Sequence, residues 1–383
     1  MTVNFDNAAT TFPKPPEVRL AVEQAVAKYG SAGRGSHPIA ARGSELVYSA
    51  REEIGAFFGA QPENVVFTSN CTHALNIAIQ GLMKSGGHVI ITRFEHNSVL
   101  RPVYALAKEG KCRYSILTPG RGDDETLAEL TRLIRPDTKA VVCTLCSNVT
   151  GEILPWHAIG RLCQERGICF VADGAQACGV LDVKLSDGIN ILCTAGHKGL
   201  YGITGTGLLL SDGKYALPPL MMGGSGAMSN LPEMPPFLPD ALESGTLGII
   251  GVASVRAGVR FVQKRGVSQI FSHETALCER FLKGLRDIPE VTVYRREGHV
   301  FAPIVAFNIG NIPSEDAASA LGRQGFCLRA GLHCAPLIHR FLGTETGALR
   351  FSPSVFSRMQ DVERLLHAVR ALARASDTPA ESQ

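Results

Sequence analysis

The chain has 383 residues, 45% of them hydrophobic and 19% charged, with a net charge of +3. A chain of this length and mix folds as two or three packed units around a core that needs no metal or disulfide staple. The balanced, dispersed charge leaves no nucleic-acid footprint, and no apolar run is long enough to predict a membrane span.

The opening "MTVNFDNAATTF" lacks the basic-then-apolar pattern of a secretory leader. Eleven cysteines, odd in number and irregular in spacing, argue against a disulfide framework and for a reducing, cytoplasmic setting. In 43–59, Leu46, Val47, Ala50, Ile54, Phe57 and Phe58 share one face at helical spacing. The strand "NVVFT" follows, and "SNCTHALNIAIQGL" reads as a turn opening a helix. "HVIIT" is the next strand, leading through the loop "RFEHNS" to a helix near 98–109. "KAVVCTL", "ICFVA" and "INILC" are β-branched runs separated by helical stretches, notably 155–167, and "GTGLLL" is a further strand. This alternation predicts a mainly parallel, doubly wound sheet, with ligands at the carboxyl ends of its strands. Residues 218–240, rich in Pro, Met and Gly, read as a long surface segment, and 249–264 as a helix. From about 265 the pattern turns to α+β: helix 268–287, strands at "VTVY" and "IVAFNI", helix 314–324, strand "LRFS" and helix 359–374. The final residues, 377–383, read as a flexible tail.

Polar residues follow the strands at His73, His96, Asn148, Asp173 and Lys198. Their recurrence after separate strands predicts one shared site. Lys198, in "TAGHKGLYG", is framed by glycines that let a ligand approach the backbone. Such a lysine is either a solvated loop charge or, partly desolvated, a nucleophilic amine. Asp173, in "FVADGAQA", is either a helix N-cap or a carboxylate that keeps a heteroaromatic nitrogen protonated. A lysine and an aspartate in these roles are what pyridoxal phosphate (PLP) requires. "SNCTHALN" places small polar residues at a helix N-terminus, which serves as an anion site or as a plain cap. His96 is either a ring-stacking residue or an ordinary loop histidine. Cys143 and Cys146 form a C-x-x-C with no second pair and no H-x₃-H, and read as two thiols of a buried strand.

"FDNAATTFPKP" (5–15), "DGAQA", "GHKGLYG" and "RAGLHCAP" occur in that order, and on them the chain resembles the class V aminotransferase-type PLP enzymes, specifically the cysteine desulfurases. The resemblance runs from residue 5 to the final helix. It implies fold type I: a large domain (16–264) with a mainly parallel seven-stranded sheet, and a smaller α+β C-terminal domain (265–376) against which 1–15 packs. It also implies roles. Lys198 matches the Schiff-base lysine, Asp173 the partner of the pyridinium nitrogen, Gln176 the residue on the ring hydroxyl, and His96 the stacking histidine. Thr72, His73 and His197 match phosphate contacts. Asn148 falls where the family has a polar residue near ring and substrate. Arg350, in "GALRFS", matches the clamp on the substrate carboxylate, a role suited to a two-pronged donor. Thr246 matches a residue reaching the phosphate of a neighbouring subunit, which implies a homodimer. Arg34 and His37 match the mouth of the active site, and Ala8 and Ala9 a stretch approaching the substrate.

Cys334 matches the nucleophile that takes sulfur from L-cysteine as a persulfide, releasing L-alanine, before passing it to an acceptor thiol or protein. A cationic neighbourhood from His333 or the arginines would favour its thiolate. The short "RAGLHCAP" form resembles the compact-loop group, similar to selenocysteine lyase-like desulfurases. The chain departs from the family pattern at Ala195, at Ile203 and at "FSR" (356–358), which bears on substrate preference more than on reaction class. Selenocysteine lyase and other PLP reactions of the same scaffold remain alternatives, as does a non-catalytic redox- or nucleotide-binding protein built around the C-x-x-C.

Overall fold

The computed structural model describes residues 2–33, 35 and 37–376; Arg34 and the tail 377–383, both singled out above, lie outside them. The chain forms two compact units. The larger comprises Lys14–Leu145 and Leu154–Val267; the smaller comprises Met1–Pro13, Cys146–Ile153 and Ser268–Gln383. The division read from sequence keeps 146–153 in the large domain, whereas this short excursion belongs to the smaller unit.

In chain order the strands are β1 (Val3–Asn4), β2 (Val65–Thr68), β3 (His88–Thr92), β4 (Arg113–Leu117), β5 (Thr138–Thr144) and β6 (Cys169–Asp173). They continue as β7 (Ile191–Ala195), β8 (Gly207–Ser211), β9 (Val291–Val293), β10 (Val305–Ile309), β11 (Phe326–Cys327) and β12 (Leu349–Phe351). The α-helices are α1 (Pro16–Lys28), α2 (Pro38–Phe58), α3 (Cys71–Leu82), α4 (Asn97–Lys108), α5 (Asp123–Leu133) and α6 (Trp156–Glu165). There follow α7 (Ile249–Arg265), α8 (Val267–Arg286), α9 (Ser314–Arg323), α10 (Pro336–Leu342) and α11 (Met359–Ser376). No helix of the described residues is long and apolar enough to cross a membrane.

The larger unit is built on a seven-stranded sheet in the order β2-β8-β7-β6-β5-β3-β4. Only β8 runs against the rest, antiparallel to both β2 and β7. Strands β3, β6, β7 and β8 are buried along their whole length, as a sheet clad by helices on both faces requires. The exception is the edge strand β4, where Arg113 is exposed and Tyr114, Ser115 and Ile116 are half-buried. Helix α2 starts before the apolar stripe because His37 caps it, its Nδ1 accepting from the Ala40 N–H at 3.3 Å, and Pro38 opens it. It stops at Gly59, which takes the left-handed conformation (φ 77°). All six residues of the predicted stripe are buried.

The smaller unit has a three-stranded antiparallel sheet, β12-β10-β9, and a parallel β1-β11 pair. Helix α8 buries Ile270, Leu277, Phe281 and Leu285 on one stripe. The Phe281 ring stacks on Phe351 at 4.3 Å and meets Phe307 edge-on, while Phe5 tilts onto Phe351 at 4.6 Å. The N-terminal segment is thereby part of this unit's core.

Candidate active site

In the larger unit, β2, β3, β6 and β7 share one direction, so their carboxyl ends lie along one edge of the sheet. His73, His96, Asp173 and Lys198 sit on or just beyond those ends. Beyond β2, Asn70 caps α3 by accepting from the His73 N–H at 2.9 Å, leaving a helix N-terminus whose dipole favours an anion. His73 Nδ1 meets Ser69, and Nε2 is buried without a hydrogen-bond partner. Burial pushes this imidazole below its usual pKa. Beyond β3, His96 caps α4 and accepts from the Ser98 N–H at 3.0 Å. Ser98 Oγ also meets Thr72 Oγ1 at 2.6 Å, so one hydroxyl links the turn at α3 to the histidine at α4.

Asp173 is buried at the end of β6, and its two side-chain hydrogen bonds both fall on Oδ1, from the Ala175 N–H at 2.9 Å and the Cys71 thiol at 3.4 Å. Oδ2 is left for a cationic ring nitrogen. Gln176 is half-buried in the turn that follows. Lys198 lies in a tightly fixed loop: Gly196 N donates to Thr206 O, Gly202 N to Gly196 O, and Tyr201 N to Lys198 O. Helix α7 comes so close that a Cβ at Gly258 would lie 1.9 Å from Leu200 O. Beside it, burial and then the charge of Lys198 bring His197 down to about 4, so this imidazole is neutral near pH 7. At Ala195, where the family often has a hydroxyl, the neighbouring Thr194 does not substitute; its Oγ1 donates to Gly174 O at 3.2 Å.

These residues fit PLP: a half-buried lysine, a buried carboxylate with one oxygen free, and a helix N-terminus beside an imidazole nitrogen that is buried and unpaired. His37 caps its own helix and is exposed, and Thr246 is exposed after Gly245 (φ 90°).

In the smaller unit, Arg350 on β12 is buried. Its Nη1 donates to Asn148 O at 2.9 Å and its Nη2 to Asp6 Oδ1 at 2.9 Å; Nε is buried without a partner. Burial lowers its pKa, and the nearby Asp6 carboxylate and Cys334 act in the opposite direction. Ala8 and Ala9 follow Asp6, the Ala8 N–H donating to Ser352 Oγ and the Ala9 N–H to Asp6 O.

Cys334 is exposed, and both it and His333 have positive φ (55° and 49°). Consecutive non-glycine residues in the left-handed region cost about 1–2 kcal/mol each. The His333 ring is buried against His339, Nδ1 to Nε2 at 3.3 Å, and His339 Nδ1 meets Thr344 Oγ1 at 2.8 Å. Burial first, then the Arg350 charge, push His333 down to about 2. This corrects the expectation that His333 supplies positive charge to the thiol. A neutral imidazole cannot; of the arginines, Arg350 interacts electrostatically with Cys334. The amide of Asn148, read as facing ring and substrate, is bound to the His333 carbonyl at 2.8 Å.

Four polar residues escaped the sequence reading: Asp6, Lys14, Cys71 and Glu95. Lys14 donates to His197 O at 2.9 Å, and burial lowers its pKa to about 8. Glu95 is fully buried beside His96, accepting from Thr92 Oγ1 at 2.5 Å and from the Thr144 N–H at 2.9 Å. A Glu directly before a strand-end histidine was the available signal. Burial lifts its carboxyl from 4.5 to about 8. Such a group keeps its proton in the native state where the unfolded chain has lost it. Stability is therefore full below the unfolded pKa, falls as pH rises and levels off above about 8. Glu95→Gln is expected to flatten this slope, gaining a few kcal/mol on the wild type between about pH 5 and about pH 8 in denaturant titrations. Parallel curves would show that Glu95 is ionised in the fold.

Neither C-x-x-C thiol is exposed; Cys143 lies in β5 and Cys146 bridges to Ile153. Among the described residues no group of His, Cys, Asp and Glu is arranged to hold a metal.

The class-V aminotransferase family model matches residues 3–365. The chain is 29% identical over 385 residues to a probable cysteine desulfurase of Methanothermobacter thermautotrophicus, covering 96% of this chain and 94% of that protein. It is 28% identical over 389 residues to a probable cysteine desulfurase of Pyrococcus abyssi, covering 97% and 94%. Among solved structures it is similar to the apo cysteine desulfurase from Thermococcus onnurineus NA1, with a TM-score of 0.90, 29% identity, and 98% and 95% of the two chains covered. A cysteine desulfurase from Escherichia coli matches with a TM-score of 0.87 at 25% identity, covering 98% and 95%.

Proposed function

Because the chain belongs to the class-V aminotransferase family, we propose that it is a PLP-dependent cysteine desulfurase, converting L-cysteine to L-alanine with transfer of sulfur to Cys334 and then to an acceptor thiol or protein. Large (16–264) and small (265–376) domains divide the work, in a homodimer in which Thr246 reaches the neighbour's phosphate. The unpaired cysteines of the described residues suit a reducing cytoplasm.

When bound, PLP supplies an electron sink for the pair left at the substrate Cα. Thr72, His73 and His197 would hold its phosphate, Asp173 its ring nitrogen, Gln176 its ring hydroxyl and His96 its face. Lys198 Nζ would hold the cofactor and would be the base for the Cα proton. Arg350 binds the substrate carboxylate, for which its pairing with Asp6 is a protein stand-in. His37 borders the entry, and Ala9 lines the approach. The Cys334 thiolate attacks the substrate sulfur: an S–S bond forms and the Cβ–S bond breaks. Its electron pair stays with carbon, which takes up a proton, so no outside oxidant is needed.

The observation that carries this reading is the exposed Cys334 thiol within electrostatic reach of a buried arginine. PLP-loaded protein given L-cysteine and a reducing thiol is expected to release alanine and sulfide in equal amounts. Pyruvate or a racemised amino acid instead would assign it to another reaction of the family.

A further inference from the structure

We infer that Asn148 is a positioning residue for the nucleophile: it holds the peptide before Cys334 in a strained turn and thereby sets where the thiol points. This rests on the desulfurase reading and adds a role that resemblance does not give to Asn148.

Of the four non-glycine residues with positive φ among the described residues, only His333 and Cys334 are adjacent. A turn of this kind persists only where its surroundings over-determine it. Here three restraints converge. The buried Asn148 amide donates to the carbonyl of His333, the group bonded directly to the Cys334 nitrogen. The His333 ring is fixed through His339 to Thr344. Asn148 is itself held from behind, its own carbonyl accepting from Arg350 Nη1.

The segment carrying Asn148 is also fastened at its far end. Ile153 N donates to Val300 O at 2.9 Å and Ala302 N to Gly151 O at 2.7 Å. The buried Glu152 carboxylate takes the guanidinium of Arg296 and faces His299 at 3.1 Å. Gly151 (φ 78°) lies so near Ala302 O that a Cβ would come within 2.7 Å. The segment is therefore a strap between the Glu152 clamp and the cysteine turn, and Asn148 is the side chain through which it acts. Arg350 joins the two functions, binding Asn148 with one nitrogen and reaching Cys334 by its charge.

The test uses the full-length, PLP-loaded enzyme with Asn148→Asp, which keeps the shape but sets an oxygen against the His333 carbonyl, and Asn148→Ala as second variant. Folding is checked by circular dichroism. Three quantities are read: persulfide on Cys334 by mass, exchange of the α-proton of L-alanine for solvent deuterium, and alkylation of Cys334 by iodoacetamide in a Cys327→Ser background that removes the other exposed thiol. Persulfide formation is expected to fall roughly 10- to 100-fold, the loss of one buried hydrogen bond, and to fall by clearly more than exchange does. Alkylation is expected to change by a similar factor, and this readout holds whatever the reaction. Unchanged alkylation, or exchange falling in step with persulfide formation, would overturn the inference and return Asn148 to the cofactor. Wild-type protein that makes no alanine from cysteine, yet whose alkylation responds to Asn148, would overturn the desulfurase reading and leave the inference standing.

Discussion

Lys198→Ala is expected to lower alanine formation from cysteine by at least about 10⁴-fold, the loss of a positioned base compounded by loss of the covalent hold on the cofactor. The loop around Lys198 is closed by backbone bonds at Gly196, Tyr201 and Gly202 and backed by α7 at Gly258. Removing the side chain therefore leaves the scaffold in place. Its neighbours are weak substitutes: burial leaves His197 a poor base, at about 4, and Lys14 donates to the His197 carbonyl. Three measurements define the outcome. Thermal unfolding of the variant should stay close to wild type. The yellow absorption of lysine-bound PLP should vanish and added cofactor should wash out. A small primary amine such as methylamine should restore part of the activity, which damage to the fold would not allow. Retention of more than about 1% of the turnover would remove Lys198 from the role of base.

How far this could be read in the sequence varies by residue, for physical reasons. The wholly buried strands β3, β6, β7 and β8 are unbroken apolar runs, so they and the residues at their ends were legible. Strand β4 was not: an edge strand with Arg113 exposed and Ser115 half-buried has neither a buried run nor a clean alternation. Helix α1 buries only Val18 and Ala25, too few to show a stripe. The strap at 146–153 was invisible because its partners lie far along the chain: Asn148 bonds a carbonyl 185 residues away. The neutrality of His333 was out of reach for a related reason. Its pKa is set by burial and by Arg350, neither of which its immediate neighbours in sequence specify. Residue types and order carried the chemistry; the protonation states and the restraint on the nucleophile come from tertiary packing.

The second large effect falls on Cys334. Cys334→Ala is expected to cut alanine formation from L-cysteine by about 10³-fold or more while the α-proton exchange of L-alanine stays within a few-fold, because proton removal does not use the thiol. Of the eleven cysteines only Cys327 is also exposed, and it lies on β11, outside the turn that carries Cys334, so no substitute persulfide is expected there. Cys334→Ser should behave like alanine, since a hydroxyl beside Arg350 stays protonated where a thiol can ionise. The pH profile gives an independent check. Were His333 the cation that favours the thiolate, persulfide formation would drop as pH rises through the ordinary histidine range. With His333 down at about 2 and Arg350 charged throughout, no loss of rate is expected across that range. A fall between about pH 6 and about pH 7 in single-turnover persulfide formation would put the charge back on His333. Selenocysteine separates the remaining alternative. Selenium leaves carbon more readily and needs the thiol less, so a selenocysteine lyase would keep its main activity in Cys334→Ala. A desulfurase, whose difficult step is the break between carbon and sulfur, loses it.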